Sequence, residues 1–447
     1  MPQSRRPPPS TASSKGKHSK KSEGSKQRHI NPNINPSTGQ AQYNSNANNT
    51  KTSKQDGTNA TNKNIRRKQT DPRVLSQFKA ILNTFQHTFS HLFTPQLPEL
   101  IQSVKQSLYL RDYVAAFDSP EKLQAYAVRW SVARALAYFE MIAGLDIGVD
   151  YDNNRTLSPS SNSWWWSEDV TRNFSRRQDK LSVTCIGGGA GAEIVGMAAA
   201  YSFLNPPTAT TTSTTTEDKL EEGDDKETEA TNEIGAAIPA SGGLDLTFLD
   251  FATWAPITDS LYATITSSDS TAQGSISPKI SLNNAEFSAR CYQQDVLTPL
   301  SDTTTSSMAS ADVVTILFTA GELYSQSPTA TTKFLMSLHA LTKPGALLVI
   351  VDSAGGFEDL DVLSKKNKPE TGSSSAGTQS NSANIGGYKL GFLLDKTLTN
   401  HEQWQTIASQ DAKWWRVPQE LKDSSGYPLE LENMRCLIRV YRRNDDH

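Results

Sequence analysis

The chain has 447 residues and a formal net charge of −3, with a length that suits one large domain or two ordinary ones. No apolar run approaches the ~20 residues of a membrane span, and residues 1–30 lack the apolar core of a secretory signal, so no membrane partner is expected. The three cysteines, Cys185, Cys291 and Cys436, are far apart, which predicts buried free thiols in a reducing compartment and indicates neither a disulfide framework nor a metal site.

Residues 1–70 differ in composition from the rest of the chain. They hold 14 Lys and Arg against Glu23 and Asp56, and almost no aliphatic residues. Such a segment cannot bury enough apolar surface to offset its chain entropy, so we expect a disordered basic arm. The arm is either a plain solvated tail, or one that neutralises RNA phosphates or acts as a nuclear or nucleolar address. The second interpretation predicts a protein of the nucleus or nucleolus, with the cytoplasm as a further location.

Helical periodicity begins near Asp71. The stretches "DPRVLSQFKAILNTFQHTF", "PELIQSVKQSLYLRDYVAAF" and "SPEKLQAYAVRWSVARALAYFEMI" predict about three helices within a helical N-terminal segment over 71–165. Its aromatic residues, Tyr109, Tyr113, Tyr126, Trp130 and Tyr138, are expected in its core, with the alternative that a minority of them face a cleft. Near its end lies "WWW" at Trp164–Trp166, whose neighbouring indoles point in different directions, so one of them is a candidate for stacking on a ligand or base.

From residue 166 to the C-terminus, strands alternate with helices. The runs "KLSVTCIGG", "LDLTFLDF", "FSARCYQQDVL", "ADVVTILFTAGELY" and "ALLVIVDSAG" contain buried strands, which predicts an α/β, Rossmann-like domain over 166–447. We expect "KLGFLLD" and "MRCLIRVYRR" to add two strands, giving a mostly parallel seven-stranded sheet. Polar, low-complexity stretches near 205–243 and 363–386 are predicted to be disordered surface insertions.

Glycines are concentrated in the turn after the first predicted strand. "CIGGGAGAE" contains Gly187, Gly188, Gly189 and Gly191, where glycine permits a sharp turn and the close approach of a ligand to the backbone. The N-terminus of the following helix offers unpaired amides and positive potential. The loop therefore predicts a cofactor site, although its spacing also suits tight strand–helix packing without a ligand, and fits a nicotinamide dinucleotide fingerprint.

Acidic residues follow the next two predicted strands. With the stretch 205–243 set aside, Asp250 lies about 20 residues after Gly191, where a carboxylate that binds ribose hydroxyls is expected. A strand-end aspartate that caps the next turn is the alternative. Asp295 follows the third strand and is a candidate acceptor for the exocyclic amine of adenine.

The end of the fourth strand carries a further motif, "FTAGELY". In an open parallel sheet this strand delivers its carboxyl end into the ligand cleft. We therefore expect Phe318, Thr319 and Glu322 to face the reactive end of a ligand, with the alternative that Glu322 begins the next helix.

The order of these motifs resembles the class I S-adenosylmethionine-dependent methyltransferases. More narrowly, "CIGGGAGAE", "LDFATWAPI", "FTAGELYSQ" and "LTKPGALLVIVDSAGG" are similar to the fungal family of 25S ribosomal RNA uridine-N3 methyltransferases, from about Asp71 to the C-terminus outside the insertions. The resemblance implies the class I methyltransferase fold, S-adenosylmethionine as cofactor, and large-subunit ribosomal RNA or a pre-ribosome as partner. It implies a cofactor site formed by Gly187, Gly188, Gly189, Gly191, Asp250, Asp295 and Phe318.

One position departs from the class. Most of its members have an acidic residue two positions before the first loop glycine, and here Cys185 stands there. The cofactor amine is therefore expected to find another acceptor, either a backbone carbonyl of the loop or the segment Phe318–Glu322.

Methylation of uridine at N3 sets two demands. The N3 proton has to leave, which calls for a general base, and the sequence identifies none beyond the candidates Thr319 and Glu322. N3 lies on the Watson–Crick edge, so the base must be unpaired or flipped out, and Trp254 or Trp164–Trp166 are candidates to stack on it.

Three alternatives stay open from the residues alone. One is a methyltransferase of the same fold that acts on a protein or a small molecule. Another is a nicotinamide oxidoreductase, which the absence of a catalytic His or Tyr-x-x-x-Lys element disfavours. The third is a catalytically inactive ribosome-assembly factor, which the cysteine at position 185 keeps open.

Overall fold

The structure is a computed structural model and describes residues 70–145, 168–175, 179–206, 242–267, 278–280, 282–354, 389–424 and 426–445. The arm before residue 70, Trp164–Trp166, the predicted boundary at 165/166 and nearly all of both predicted insertions lie outside these residues, so the predictions made for them stay predictions. Within the described ranges, every helix is too short or too polar to cross a membrane.

Helices precede the first strand, as predicted, but more of them than expected. Their bounds are α1 (Pro72–Thr88), α2 (Leu97–Tyr109), α3 (Tyr113–Ala116), α4 (Pro120–Tyr126), α5 (Val132–Ile142) and α6 (Glu168–Phe174), with a 3-10 turn at Ser90–Leu92 and a π turn at Ala127–Ser131. The second predicted helix is divided because Arg111 adopts a left-handed conformation, with φ of 58°. Asp112 then caps α3 by accepting a hydrogen bond from the N–H of Ala115.

The aromatic residues of this segment divide between core and surface. Tyr126 and Tyr138 are buried, and Tyr113 and Trp130 are partly buried. Tyr109 is 71% exposed, so the prediction that it belongs to the core is wrong. It is the last residue of α2, just before the left-handed turn at Arg111.

The remaining described elements alternate as the sequence predicts. They are β1 (Leu181–Ile186), α7 (Ala192–Leu204), β2 (Leu244–Asp250), α8 (Ala255–Thr266), β3 (Phe287–Gln293), α9 (Asp302–Ser310), β4 (Val313–Leu317), α10 (Ala320–Gln326), α11 (Pro328–Leu341), β5 (Leu347–Ser353), α12 (Leu390–Leu398), a 3-10 turn (Asn400–Glu402), β6 (Trp404–Trp415), α13 (Gln419–Ser424) and β7 (Met434–Arg443). Free cysteines lie in β1, β3 and β7, and of these Cys185 and Cys436 are buried and Cys291 is partly buried.

The strands form a seven-stranded sheet in the order β3-β2-β1-β4-β5-β7-β6. The first five strands are parallel, and β7 is antiparallel to both β5 and β6. Alternate residues of β5 face separate cores, Val349 on one side and Ile350 on the other. Helices therefore cover both faces, and the prediction of a mostly parallel α/β sheet is confirmed.

The segment "KLGFLLD" is a helix, so the prediction that it forms a strand is wrong. Leu390, Leu394 and Leu398 are buried at intervals of four residues, which is the spacing of one helix face. The sixth strand comes later, at Trp404–Trp415, and contains Trp404, Trp414 and Trp415. Most of its residues are exposed or partly exposed, as befits an edge strand, so it lacks the apolar run that marks the others.

The helical segment packs directly on the sheet domain. A Cβ added to Gly196 of α7 would lie 2.9 Å from the backbone oxygen of Ala135 in α5, so the two helices touch closely at this glycine. Farther along α5, the carboxylate of Glu140 accepts a 2.8 Å hydrogen bond from the indole nitrogen of Trp415. These contacts fix α5 against the carboxyl ends of the strands, where the candidate site lies.

Candidate active site

A cavity opens at the carboxyl ends of β1, β2 and β4. The predicted cofactor and catalytic residues that line it are Gly187, Asp250, Asp295, Phe318, Thr319 and Glu322, and Trp254, a candidate for stacking on the base, lines it too. The helical segment contributes Phe117, Tyr126, Ser131 and Arg134. Gly188, Gly189 and Gly191 belong to the same loop but do not border the cavity.

Side chains of the protein pack closely against the glycine loop. Gly187 has φ of 74°, and a Cβ there would lie 2.4 Å from Oγ1 of Thr319. A Cβ on Gly189 would lie 2.4 Å from Cβ of Trp254, and one on Gly191 would lie 2.5 Å from Leu261. Close packing of the protein on itself therefore accounts for these three glycines, while Gly187 also exposes its backbone to the cavity.

Asp250 ends β2 and is held by the backbone around it. Its Oδ2 accepts a 3.3 Å hydrogen bond from the N–H of Gly189, and its Oδ1 accepts one of 3.2 Å from the N–H of Ala252. The residue is 6% exposed, and burial raises its pKa to about 6. Asp295 lies farther along the wall and is anchored by the N–H of Leu297, 2.9 Å from its Oδ1.

The end of β4 turns sharply into α10. Phe318 adopts φ of 58°, a left-handed conformation that a bulky residue reaches only under local strain. Glu322 falls in the first turn of α10, as the alternative interpretation of "FTAGELY" predicts, and it still faces the cavity. Asp352, at the end of β5, accepts a 2.8 Å hydrogen bond from the N–H of Gly321 and so holds the start of this helix. Thr319 donates from its hydroxyl to the backbone oxygen of Leu317 at 3.3 Å.

Two charged residues of the cavity were not foreseen from the sequence. Arg134 comes from α5, and its guanidinium carbon lies 4.6 Å from the centroid of the Phe318 ring. Glu193 is the second residue of α7, is 4% exposed and lines the cavity below the glycine loop. The signal for Glu193 was present, since it lies two residues after the last loop glycine, whereas nothing local distinguishes Arg134 from the other arginines of the helical segment.

Four carboxyl groups line the cavity, those of Glu193, Asp250, Asp295 and Glu322, against the one guanidinium of Arg134. Burial raises the pKa of Glu193 to about 8, against the lowering influence of Arg134. It likewise raises the pKa of Glu322 to about 8, with the lowering effect of Arg134 opposed by the neighbouring carboxylates of Asp352 and Asp250. Both groups are therefore largely protonated at neutral pH, and a ligand that brings positive charge would lower their pKa and bind to the ionised carboxylates.

Thermal stability is expected to fall as the pH rises from 5 to 8. Glu193 has a pKa of about 8 in the folded protein against an ordinary value of 4.5, so its stabilising contribution is fully present below about pH 4.5 and is lost as the pH approaches 8. In this window the folded state holds a proton that the unfolded chain releases. The free energy of unfolding therefore falls by up to about 1.4 kcal/mol for each pH unit. Melting curves of the wild type and Glu193→Gln at several pH values test this, because the variant should give a shallower slope. Equal slopes for the two proteins would contradict it.

The side chain of Trp254 lines the cavity. It is 2% exposed, and its ring centroid lies 5.1 Å from that of Phe117 and 5.8 Å from that of Tyr126. Cys185, by contrast, is fully buried in β1, where burial and the nearby Glu193 raise its pKa, and it does not line the cavity. Within the described residues, no cluster of three or more His, Cys, Asp or Glu is arranged to hold a metal ion.

The sheet order, the glycine loop after β1 and the acid that ends β2 define the class I S-adenosylmethionine-dependent methyltransferases. The family model described as "Putative SAM-dependent methyltransferase" matches residues 84–442, and the chain belongs to this family. The chain is therefore an S-adenosylmethionine-dependent methyltransferase with the class I fold.

A curated relative and several solved structures are similar to the chain. The 25S rRNA (uridine(2843)-N(3))-methyltransferase of Saccharomyces cerevisiae is 26% identical over 383 residues, which cover 81% of this chain and 85% of the relative. A SAM-dependent methyltransferase from Methanosarcina mazei is 12% identical, covering 62% of this chain and 98% of its own, with a TM-score of 0.33. The 16S rRNA (adenine(1408)-N(1))-methyltransferase from Catenulisporales acidiphilia is 13% identical, covering 66% and 97%, with a TM-score of 0.30.

The residues of the cavity fit S-adenosylmethionine. Asp250 offers a carboxylate for the ribose hydroxyls, and Glu193 and Glu322 supply negative charge for a cationic ligand. When bound, the cofactor supplies a methyl group on an electrophilic sulfonium. The protein has to hold the acceptor in line with that methyl group and to remove a proton where the acceptor carries one.

Proposed function

We propose that the protein methylates N3 of a uridine in large-subunit ribosomal RNA. The observation that carries the proposal is the similarity to the yeast 25S rRNA enzyme, which extends over 81% of this chain and so spans both the helical segment and the sheet. A basic arm of 14 Lys and Arg in residues 1–70 supports an RNA partner, because such an arm neutralises phosphates.

Glu322 is the general base in this proposal. Uridine N3 carries a proton, and the neutral imide is a poor nucleophile, so the proton moves to a carboxylate as the new N–CH₃ bond forms. A carboxylate whose pKa is about 8, as burial gives Glu322, is a stronger base than an ordinary glutamate. The other candidate, Thr319, donates its hydroxyl to Leu317 and packs on Gly187, so its role is to shape the site.

A methyltransferase that acts on a protein or a small molecule remains the alternative. It is separated from the proposal by the product: only the ribosomal activity places 3-methyluridine in the large-subunit RNA. The partner in the cell is either the mature RNA or a pre-ribosome, and the timing of methylation during ribosome biogenesis distinguishes the two.

The test is the 3-methyluridine content of large-subunit RNA, measured by nucleoside mass spectrometry. The strains are wild type, a deletion, the deletion carrying Glu322→Gln, and the deletion carrying Glu99→Gln, an exposed matched control on α2. We expect loss of 3-methyluridine in the deletion and the Glu322 variant, and wild-type levels in the control. An unchanged content in the deletion would overturn the ribosomal substrate, and loss in the deletion but not in the Glu322 variant would overturn the base.

Residues 1–70 are proposed to direct the protein to the nucleus or nucleolus. Their excess of basic residues is the supporting observation. Fluorescence microscopy of the tagged full chain and of a chain that lacks residues 1–69 tests this proposal. Identical distributions of the two would contradict it.

A further inference from the structure

Arg134 is the one basic side chain among the described residues that line the cavity. Its Nη1 donates a 2.8 Å hydrogen bond to the hydroxyl of Tyr126, and its guanidinium stacks on the ring of Phe318. Among the described residues, no carboxylate oxygen lies within 4.0 Å of a guanidinium nitrogen of Arg134, so none forms an ion pair with it. A guanidinium carries five N–H donors, so most of them are available to a ligand.

The charges are ordered along the carboxyl edge of the sheet. Asp295 follows β3 and Asp250 ends β2, which puts both on one side of the glycine loop. Phe318 follows β4, on the other side of β1, and Arg134 stacks there. With Asp250 as the predicted acceptor for the ribose, the other end of the cofactor would extend toward β4 and Arg134.

Glu193 provides the opposite charge near this end. Its Cδ lies 3.2 Å from the position of a Cβ built on Gly188, so the carboxylate reaches back under the glycine loop. Cβ of Cys185 is 2.9 Å from the same point. The first turn of α7 thus brings an acid next to the strand position where most of the class has one and this chain has Cys185.

We propose that Arg134 binds the carboxylate of the methionine part of S-adenosylmethionine, and that Glu193 binds its ammonium group. The planar fork of arginine matches a carboxylate and can pair with both of its oxygens. A zwitterionic group needs one cation and one anion, and Arg134 is the only described cation of the lining. The proposal rests on the methyltransferase family and not on the RNA substrate.

Calorimetric titration with three ligands tests the role of Arg134. They are S-adenosylmethionine, its decarboxylated analogue, which lacks the carboxylate, and 5′-methylthioadenosine, which lacks the whole amino-acid part. Arg134→Gln should weaken binding of S-adenosylmethionine by about 10- to 100-fold, because that is the loss of affinity expected when a hydrogen bond between charged groups is removed. Binding of the other two ligands should change by no more than about twofold. Arg129→Gln is the matched control, because Arg129 pairs with Glu432 outside the cavity and should alter none of the affinities.

Glu193 has a complementary signature. Glu193→Gln should weaken S-adenosylmethionine and the decarboxylated analogue alike, because both keep the ammonium group, and leave 5′-methylthioadenosine unaffected. Equal weakening of all three ligands by Arg134→Gln, or none, would overturn the assignment of Arg134. If Arg134→Gln fails to fold, the wild type decides: it should bind the decarboxylated analogue at least about tenfold more weakly than S-adenosylmethionine, and equal affinities would sink the proposal.

Discussion

Glu322→Gln is expected to lower kcat by about 10²- to 10⁴-fold, the range of general base catalysis, with a much smaller change in the KM for S-adenosylmethionine. The amide keeps the shape of the side chain but accepts no proton. Residues that hold the start of α10, among them Asp352 through the N–H of Gly321, do not bond to Glu322, so the helix should stay in place. Single-turnover methylation of a uridine-containing RNA fragment measures the effect.

The pH profile gives the same prediction a second readout. Because burial raises the pKa of Glu322 to about 8, its basic form grows as the pH rises. The value of kcat/KM should therefore increase about tenfold per pH unit below pH 8 and level off above it. Glu322→Gln should flatten this slope, and Glu99→Gln should leave both rate and slope unchanged. A variant that retains wild-type kcat would refute the assignment of the base.

Asp250→Asn is expected to weaken the binding of S-adenosylmethionine by about 100-fold. The carboxylate accepts hydrogen bonds from Gly189 and Ala252, and its remaining acceptor sites suit the two ribose hydroxyls. An amide has one acceptor oxygen, so it loses charge-assisted bonds worth about 1.5–3 kcal/mol each. Calorimetric titration measures the loss, and melting temperatures report whether the glycine loop survives the change.

Binding should also respond to pH through this residue. Burial raises the pKa of Asp250 to about 6, and only the ionised form accepts both hydroxyls. The part of the affinity that depends on Asp250 should therefore be complete above pH 6 and fall about tenfold per unit below it. Asp259→Asn, an exposed change on the nearby α8, is the control and should keep the wild-type affinity. A wild-type affinity for Asp250→Asn would show that this acid does not hold the ribose.

The parts of the site that sequence predicts well are those that lie within one strand–turn–helix unit. The glycine loop and Asp250 follow strands whose apolar runs are unmistakable, and the parallel order then brings them to one edge. Arg134 had no such signal, because it reaches the cavity only through the packing of α5 against α7 at Gly196. Tertiary contact decides that position, and no local pattern encodes it.

The errors in the prediction of the fold have a similar origin. The segment that begins at Leu390 is short and apolar, and short apolar runs suit a helix or a strand equally. The four-residue spacing of its leucines indicates a helix, and the sixth strand is then the later one, which begins at Trp404. The division of the second helix at Arg111 depends on a left-handed residue that the amino-acid type does not announce.

The hydrogen bond between Trp415 and Glu140 has a consequence for folding while the chain is being synthesised on the ribosome. The two residues are 275 positions apart, so α5 is made long before the strand that completes its surroundings. At about 5–20 residues per second, the interval is on the order of tens of seconds. During that time the carboxyl group of Glu140, which is 2% exposed in the finished fold, lacks the indole that covers it, whereas Phe139 on the same helix already has Phe78 and Phe203 to pack against. The residues that line the cofactor cavity end at Gln326, so Trp415 is added to α5 only after all of them have been made.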